Sequence, residues 1–215
     1  MTDGRALILV RHGETVGNSS IRYFGRTDLL LSPLGRAQMG AVANWLASSL
    51  QTSRFAPVFS SPLCRATEGA RLIAGTLAPV VEIQEFVEVD FGLFEGLTAE
   101  EIRERYPVEF DRWNRDRLDP AYAYPGGESR AAFVERVGRG AKRMVELLDG
   151  TAATADSPAA LLVAHRGVIR AITQRLAGVE PVIELGSIQV LRRTSGNPGW
   201  RAEALDVTEH LNHIE

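Results

Sequence analysis

With one cysteine, Cys64, in 215 residues, the chain can form no intrachain disulfide, and a reducing compartment suits it best. Long apolar runs are missing as well. The first run, residues 6–10, meets Arg11 and His12 too soon for a signal peptide or a membrane span, and no longer one follows. These absences point to a cytoplasmic protein with no membrane partner. Charge of one sign is not in excess either. Against 27 Asp+Glu there are 24 Lys+Arg, a net charge of -3, so nothing global favours nucleic acid. Any anion site must come from local clustering of arginine. There is no repeat, no low-complexity tract and no Walker-type phosphate loop, so chemistry that needs one lacks support. His210 and His213 stand three apart near the end, but two ligands make a poor metal site, and no metal or other cofactor is expected.

What is present suits one globular domain spanning 1–215. Apolar residues make up 45% and charged residues 24%, and a chain of this length can bury one sizeable core. A homodimer is left open. Residues 6–10 read as a strand buried on both faces. Ser32-Pro33 reads as N-cap and first helical position, followed by Leu34, Ala37, Ala41, Val42, Trp45, Leu46 and Leu50 at helical spacing. Strands are predicted at 57–60, 80–83, 161–164, 188–191 and 201–207. Helices are predicted at 64–77 and 168–177, with a long one carrying Phe133, Val137, Ala141, Met144 and Leu148 on one stripe. Thr98 and Glu101 form a capping box, and Pro107 ends that helix or starts the next. Residues 150–160 look like a surface loop. Strand–helix alternation gives an α/β fold with a mainly parallel central sheet and helices on both faces. About 91–127 lacks a core strand and reads as a small helical lid insertion.

Three strands run straight into polar clusters. The first ends in Arg11-His12-Gly13-Glu14-Thr15, the second in Ser60-Ser61-Pro62-Leu63-Cys64-Arg65, the later one in His165-Arg166-Gly167. Ligands of open α/β sheets bind beyond the carboxyl ends of the strands, so two histidines and at least two arginines gather at one rim. Arginine forks match phosphate oxygens. A neutral imidazole can attack phosphorus to give a phosphohistidine that water later cleaves. The departing alkoxide needs a proton, and Glu88 stands where the third sheet segment gives way to the insertion; burial would raise its pKa for that work.

Arg11-His12-Gly13-Glu14-Thr15 with Asn18, Ser61-Pro62-Leu63-Cys64-Arg65-Ala66, Glu88 ahead of Asp90-Phe91-Gly92 and Glu95-Gly96, and His165 ahead of Gly167 and Ile169-Arg170 closely resemble the histidine phosphatase superfamily, the phosphoglycerate mutase-like proteins. The match is collinear from Leu7 to about Leu176. The resemblance implies that His12 is the phosphorylated nucleophile and that Glu88 gives and takes the proton. It makes Arg11, Arg65 and His165 the phosphate pocket, and Asn18 and the backbone near Gly25 secondary substrate contacts. The sequence departs from the family at Arg166, where many members have Gly, and at Phe24, where mutases carry a small hydroxyl residue. The paired arginines and long insertion of the mutases are missing after Gly96. These departures favour a metal-independent phosphomonoester hydrolase of the histidine acid type, acting on a small phosphorylated metabolite. A cofactor-dependent mutase comes second, and a non-catalytic phosphate-binding protein third. Taken singly, Arg22, Arg26 and Arg166 read as solvated, and Asn18 as tying its own turn. Cys64 reads as packing. Arg136, Arg139, Lys142 and Arg143 read as the wet face of the long helix.

Overall fold

In a computed structural model, residues 4–52, 54–75, 78–151, 159–194 and 199–214 are described. Strand β1 (Gly4–Arg11) shows how the core divides. Its side chains alternate, Leu7 and Leu9 to one face and Ala6, Ile8 and Val10 to the other, and all five are buried. The second face packs on α1 (Pro33–Ser49) and α2 (Cys64–Ala74), the first on α5 (Arg130–Gly150) and α6 (Arg166–Ala177). The remaining strands are β2 (Phe55–Ser60), β3 (Val80–Glu82), β4 (Ala159–Ala164), β5 (Ile188–Thr194) and β6 (Arg201–Val207). The sheet order is β3-β2-β4-β1-β5-β6. Strand β5 runs antiparallel to both its neighbours, and the other pairings are parallel. The mainly parallel α/β fold with helices on both faces is therefore the observed one.

Local signals place the helix starts. Ser32 Oγ accepts from Gly35 N at 3.0 Å with Pro33 next to it. Thr98 and Glu101 cap α3 (Ala99–Arg105) reciprocally. Pro107 opens α4 (Pro107–Asp116), and Ser129 caps α5. All five predicted apolar residues of α5 are buried. The stripe on α1 differs from expectation: Gly35, Met39, Val42 and Leu46 are buried, while Ala37 is exposed. The cause is Gly35, where a Cβ would overlap the Glu14 carbonyl oxygen. The closest approach of α1 is thus made by a residue with no side chain to read. Helix α2 stops at Ala74, and Leu77 lies outside the described residues. Helix α5 continues to Gly150, where a loop was expected; most of that loop, 152–158, also lies outside them.

Within 91–127, a 3-10 turn (Gly92–Phe94), α3 and α4 bury Phe94, Ile102, Trp113 and Tyr122 in a cluster of their own. Phe91 and Tyr124 join it to the main core, their rings edge to face at 5.0 Å. No helix among the described residues is long and apolar enough to cross a membrane. Because β2, β4 and β1 are neighbours, three strand ends, about 5 Å apart from one strand to the next, bring Ser61, His165 and His12 to one rim.

Candidate active site

His12 directly follows β1, its amide bonded to Ala164 O at 3.0 Å. Its ring is buried, and Nδ1 lies 2.7 Å from Gly13 O. A carbonyl oxygen only accepts, so Nδ1 carries the proton and Nε2 the lone pair. Arg65 Nε donates to that Nε2 at 3.3 Å. Burial, then the Arg65 and Arg11 guanidiniums, hold the His12 imidazolium well below its ordinary pKa, so the ring is neutral.

Arg65 is 1% exposed. Its Nη1 donates to Thr27 O and its Nη2 to Gly25 O, both at 2.7 Å. No carboxylate lies within ion-pair distance of it among the described residues. A buried guanidinium with no ion-pair partner is costly, and burial pulls its pKa down, opposed at longer range by Glu88, Asp28 and Glu95. An incoming anion would offset that cost.

His165 lies across from His12, ring centroids 5.1 Å apart. Its Nε2 is 2.8 Å from Ser61 Oγ, which also accepts from Leu63 N at 3.3 Å. A hydroxyl oxygen can accept twice and donate once, so this contact suits either tautomer; the buried Nδ1 has no partner among the described residues. Glu88 is buried. Its Oε2 accepts from Gly167 N and its Oε1 from Val89 N, both at 2.9 Å. Burial raises its pKa, opposed by those two amides and by Arg65 and Arg11. A Cβ at Gly167 would stand 2.5 Å from Glu88 Oε1, so a side chain there would displace the carboxylate. Arg11 Nη1 donates to Ile183 O at 3.2 Å, and its buried Nε has no partner among the described residues. Desolvation, then Arg166, lowers the Arg11 pKa to about 10.

The structure thus brings His12, Arg11, Arg65, His165 and Glu88 together. It treats the two secondary positions differently. Asn18 is exposed, in a left-handed turn at φ 63°, its carbonyl accepting from Ile21 N and Arg22 N. Gly25 is buried, and both its backbone groups are engaged, the amide with Glu95 and the carbonyl with Arg65. A Cβ there would overlap Val89 O.

Sequence reasoning gave no role to Ser61, Glu95 or Ile183. Ser61 and Glu95 stand inside quoted motifs; no signal marks Ile183. Arg136, expected on the wet face, is half-buried and pairs with Glu128 at 2.7 Å. It also donates to Glu85 O and Val87 O at 2.8 Å, fixing the segment before Glu88. Cys64, expected as packing, is exposed; its amide donates to Asp28, whose hydrogen bond pushes the thiol up. Arg22 is bound to Glu101 and Gly96 O, and Arg26 faces Asp90 at 3.5 Å. His210 is paired with Gly186 O at 3.0 Å.

The profile of the Histidine phosphatase superfamily (branch 1) matches residues 7–202, and the chain belongs to that superfamily. A glucosyl-3-phosphoglycerate phosphatase of Mycolicibacterium vanbaalenii is 34% identical over 225 residues, 96% of each chain. A bifunctional protein of Mycobacterium tuberculosis is 41% identical over 145 residues, 67% of this chain, and the match spans 38% of that relative's length. The solved α-ribazole phosphatase of Shigella flexneri has a TM-score of 0.78 at 26% identity, covering 94% of this chain and 96% of that one. Relatives named as phosphatases thus align with most of this chain, and the solved one shares its fold.

Proposed function

We propose that the protein is a phosphomonoester hydrolase acting on a small phosphorylated metabolite through a phosphohistidine at His12, without a metal. The observation that carries this is the lone pair on His12 Nε2, held by the Nδ1 bond to Gly13 O and met by the buried Arg65 guanidinium. Arg11, Arg65 and the Nδ1 proton of His165 would hold the phosphoryl oxygens, supplying the positive charge that transfer needs. His12 Nε2 bonds to phosphorus as the P–O bond to the alcohol breaks, and Glu88 gives its proton to the leaving oxygen. Water then attacks the phosphohistidine and returns a proton to Glu88. Inorganic phosphate leaves, and His12 is neutral again. Segment 91–127 would act as the lid of this one domain, carrying Phe91 and Tyr124 toward the alcohol, with Tyr23 packed against Phe91 from outside the segment. Asn18 would touch substrate from its exposed turn, and Gly25 would act through Arg65.

Glu88→Gln tests the reading, because it keeps size while removing the proton. In single-turnover phosphorylation of His12, an alkyl phosphate should slow by about 10²–10⁴. A nitrophenyl phosphate, whose phenolate needs no proton, should slow far less. Equal losses on both would remove Glu88 as the acid.

A further inference from the structure

Asp206 lies in β6, outside every motif at the strand ends, yet one residue, Ile183, links its carboxylate to Arg11. The link begins with a fault in the sheet. The pairs Ile188–Val207 and Val190–Ala204 leave Leu205 and Asp206 together opposite Gln189, two residues against one, which makes a β-bulge. Asp206 stands in that bulge at φ 54°, its amide donating to Gln189 Oε1 at 2.7 Å. Gln189 is fully buried, and its Nε2 donates back to Asp206 Oδ1 at 3.4 Å. The carboxylate is thereby turned onto the chain before β5. Its Oδ2 accepts from Val182 N and its Oδ1 from Ile183 N, both at 3.0 Å.

Ile183 is branched at Cβ and fully buried, and it sits at φ 60°. The left-handed region is unfavourable for such a residue and persists only where the surroundings over-determine it. Here the main core holds the side chain and Asp206 holds the amide. What this fixes is the direction of the Ile183 carbonyl. That oxygen accepts from Arg11 Nη1 at 3.2 Å, and among the described residues the Arg11 side chain has no other acceptor. Arg166, read from sequence as solvated, is exposed, but its Nε donates to the same oxygen at 3.1 Å. If Ile183 relaxed to negative φ, its carbonyl would swing away and Arg11 would lose its anchor. A carboxylate suits the task because three N–H donors, from Val182, Ile183 and Gln189, meet its two oxygens. An asparagine would turn an NH₂ toward one of them.

We propose that Asp206 is a positioning residue for phosphoryl transfer, acting through the left-handed Ile183 to hold the Arg11 guanidinium on the phosphate. This rests on the hydrolase reading and adds to it a residue from the far strand of the sheet. The test is a double-mutant cycle of Asp206→Asn and Arg11→Gln, read as kcat/KM for nitrophenyl phosphate. Asp206→Asn alone should lose about tenfold, the size of one charge-assisted contact. In the Arg11→Gln background the same substitution should cost no more than about twofold, because no guanidinium is left to aim. A purely structural role would lower both backgrounds alike. Should Asp206→Asn not fold, Asp206→Ser, which keeps one acceptor and brings no misplaced NH₂, carries the same cycle. Equal losses in the two backgrounds, or no loss in either, would overturn the proposal. If the wild type hydrolyses neither nitrophenyl phosphate nor an alkyl phosphate, the hydrolase reading falls by itself. The cycle is then read in the calorimetric Kd of inorganic phosphate, where the same pattern is expected and the same two results would overturn it.

Discussion

Proton placement at His12 follows from what its neighbouring oxygen can do. Gly13 O accepts only, which leaves His12 Nε2 bare. At His165, on the proposed reading, Ser61 Oγ accepts from Leu63 N, gives its proton to Nε2 and so keeps the ring proton on Nδ1. Ser61→Ala should free the His165 proton to move to Nε2 and withdraw a donor from the phosphate. The loss in kcat should approach the cost of one oxyanion donor, about 10²–10³. Steady-state kinetics within twofold of wild type would show that Ser61 does not set the tautomer. His12, Arg65 and His165 were legible because chemistry-bearing side chains just past strand ends form a pattern. Glu88, beyond β3 and a 3-10 turn, was pointed to by its place before the insertion and by the family resemblance. Ser61 was visible only as a motif letter, since a hydroxyl acting through a neighbour has no spacing of its own. Ile183 was illegible because its contribution is a backbone carbonyl.

Segments rather than side chains decide how Arg65 is aimed. Glu95 accepts from Gly25 N, Arg26 N, Thr27 N, Thr27 Oγ1 and Phe91 N, at 2.6 to 3.3 Å. The carbonyls of Gly25 and Thr27, on that same loop, hold Arg65. One carboxylate thus ties the 25–27 loop to the start of the 91–127 segment, and through the loop it orients the guanidinium at His12. Glu95→Gln turns an amide NH₂ toward N–H donors, so at least one bond is lost. Stability should fall by about 1–3 kcal/mol, and KM should rise as Arg65 loosens. Denaturant unfolding and substrate titration check both; an unchanged midpoint with unchanged KM would contradict the clamp. Caps and stripes were readable at this scale, as Ser32, Thr98 and the whole α5 face show. The α1 face was readable only in part: Val42 and Leu46 are buried as expected, but Gly35 packs through its backbone.

Across the whole molecule, burial reconciles two requirements that water would set against each other. With ordinary pKa values, a neutral imidazole needs pH above about 6.5 and a protonated carboxyl pH below about 4.3. The two forms would hardly coexist. Burial lowers His12 and raises Glu88, so the required window opens from both sides. The sign follows directly. Falling pH stops the reaction by protonating His12, well below the usual imidazole range, and rising pH stops it by ionising Glu88, above the usual carboxyl range. Single-turnover rates with an alkyl phosphate should therefore be bell-shaped in pH, with apparent values belonging to the coupled site. Glu88→Gln should remove the alkaline limb. An alkaline limb that survives the substitution would assign it to another group. The sheet order that makes such a site was only partly legible. Alternating elements implied parallel strands, but which strands would be neighbours, and that β5 would be reversed, depends on long-range packing.

Phosphoryl transfer to His12 is the central claim, and trapping the intermediate tests it most directly. The enzyme, in excess chelator, is mixed with a ³²P-labelled phosphate monoester, quenched in alkali, digested and mapped. The account predicts acid-labile, alkali-stable label on the peptide carrying His12, none in His12→Ala, and no dependence on added divalent metal. Label on Cys64 or on a serine, full turnover by His12→Ala, or labelling that appears only when metal is restored would contradict it.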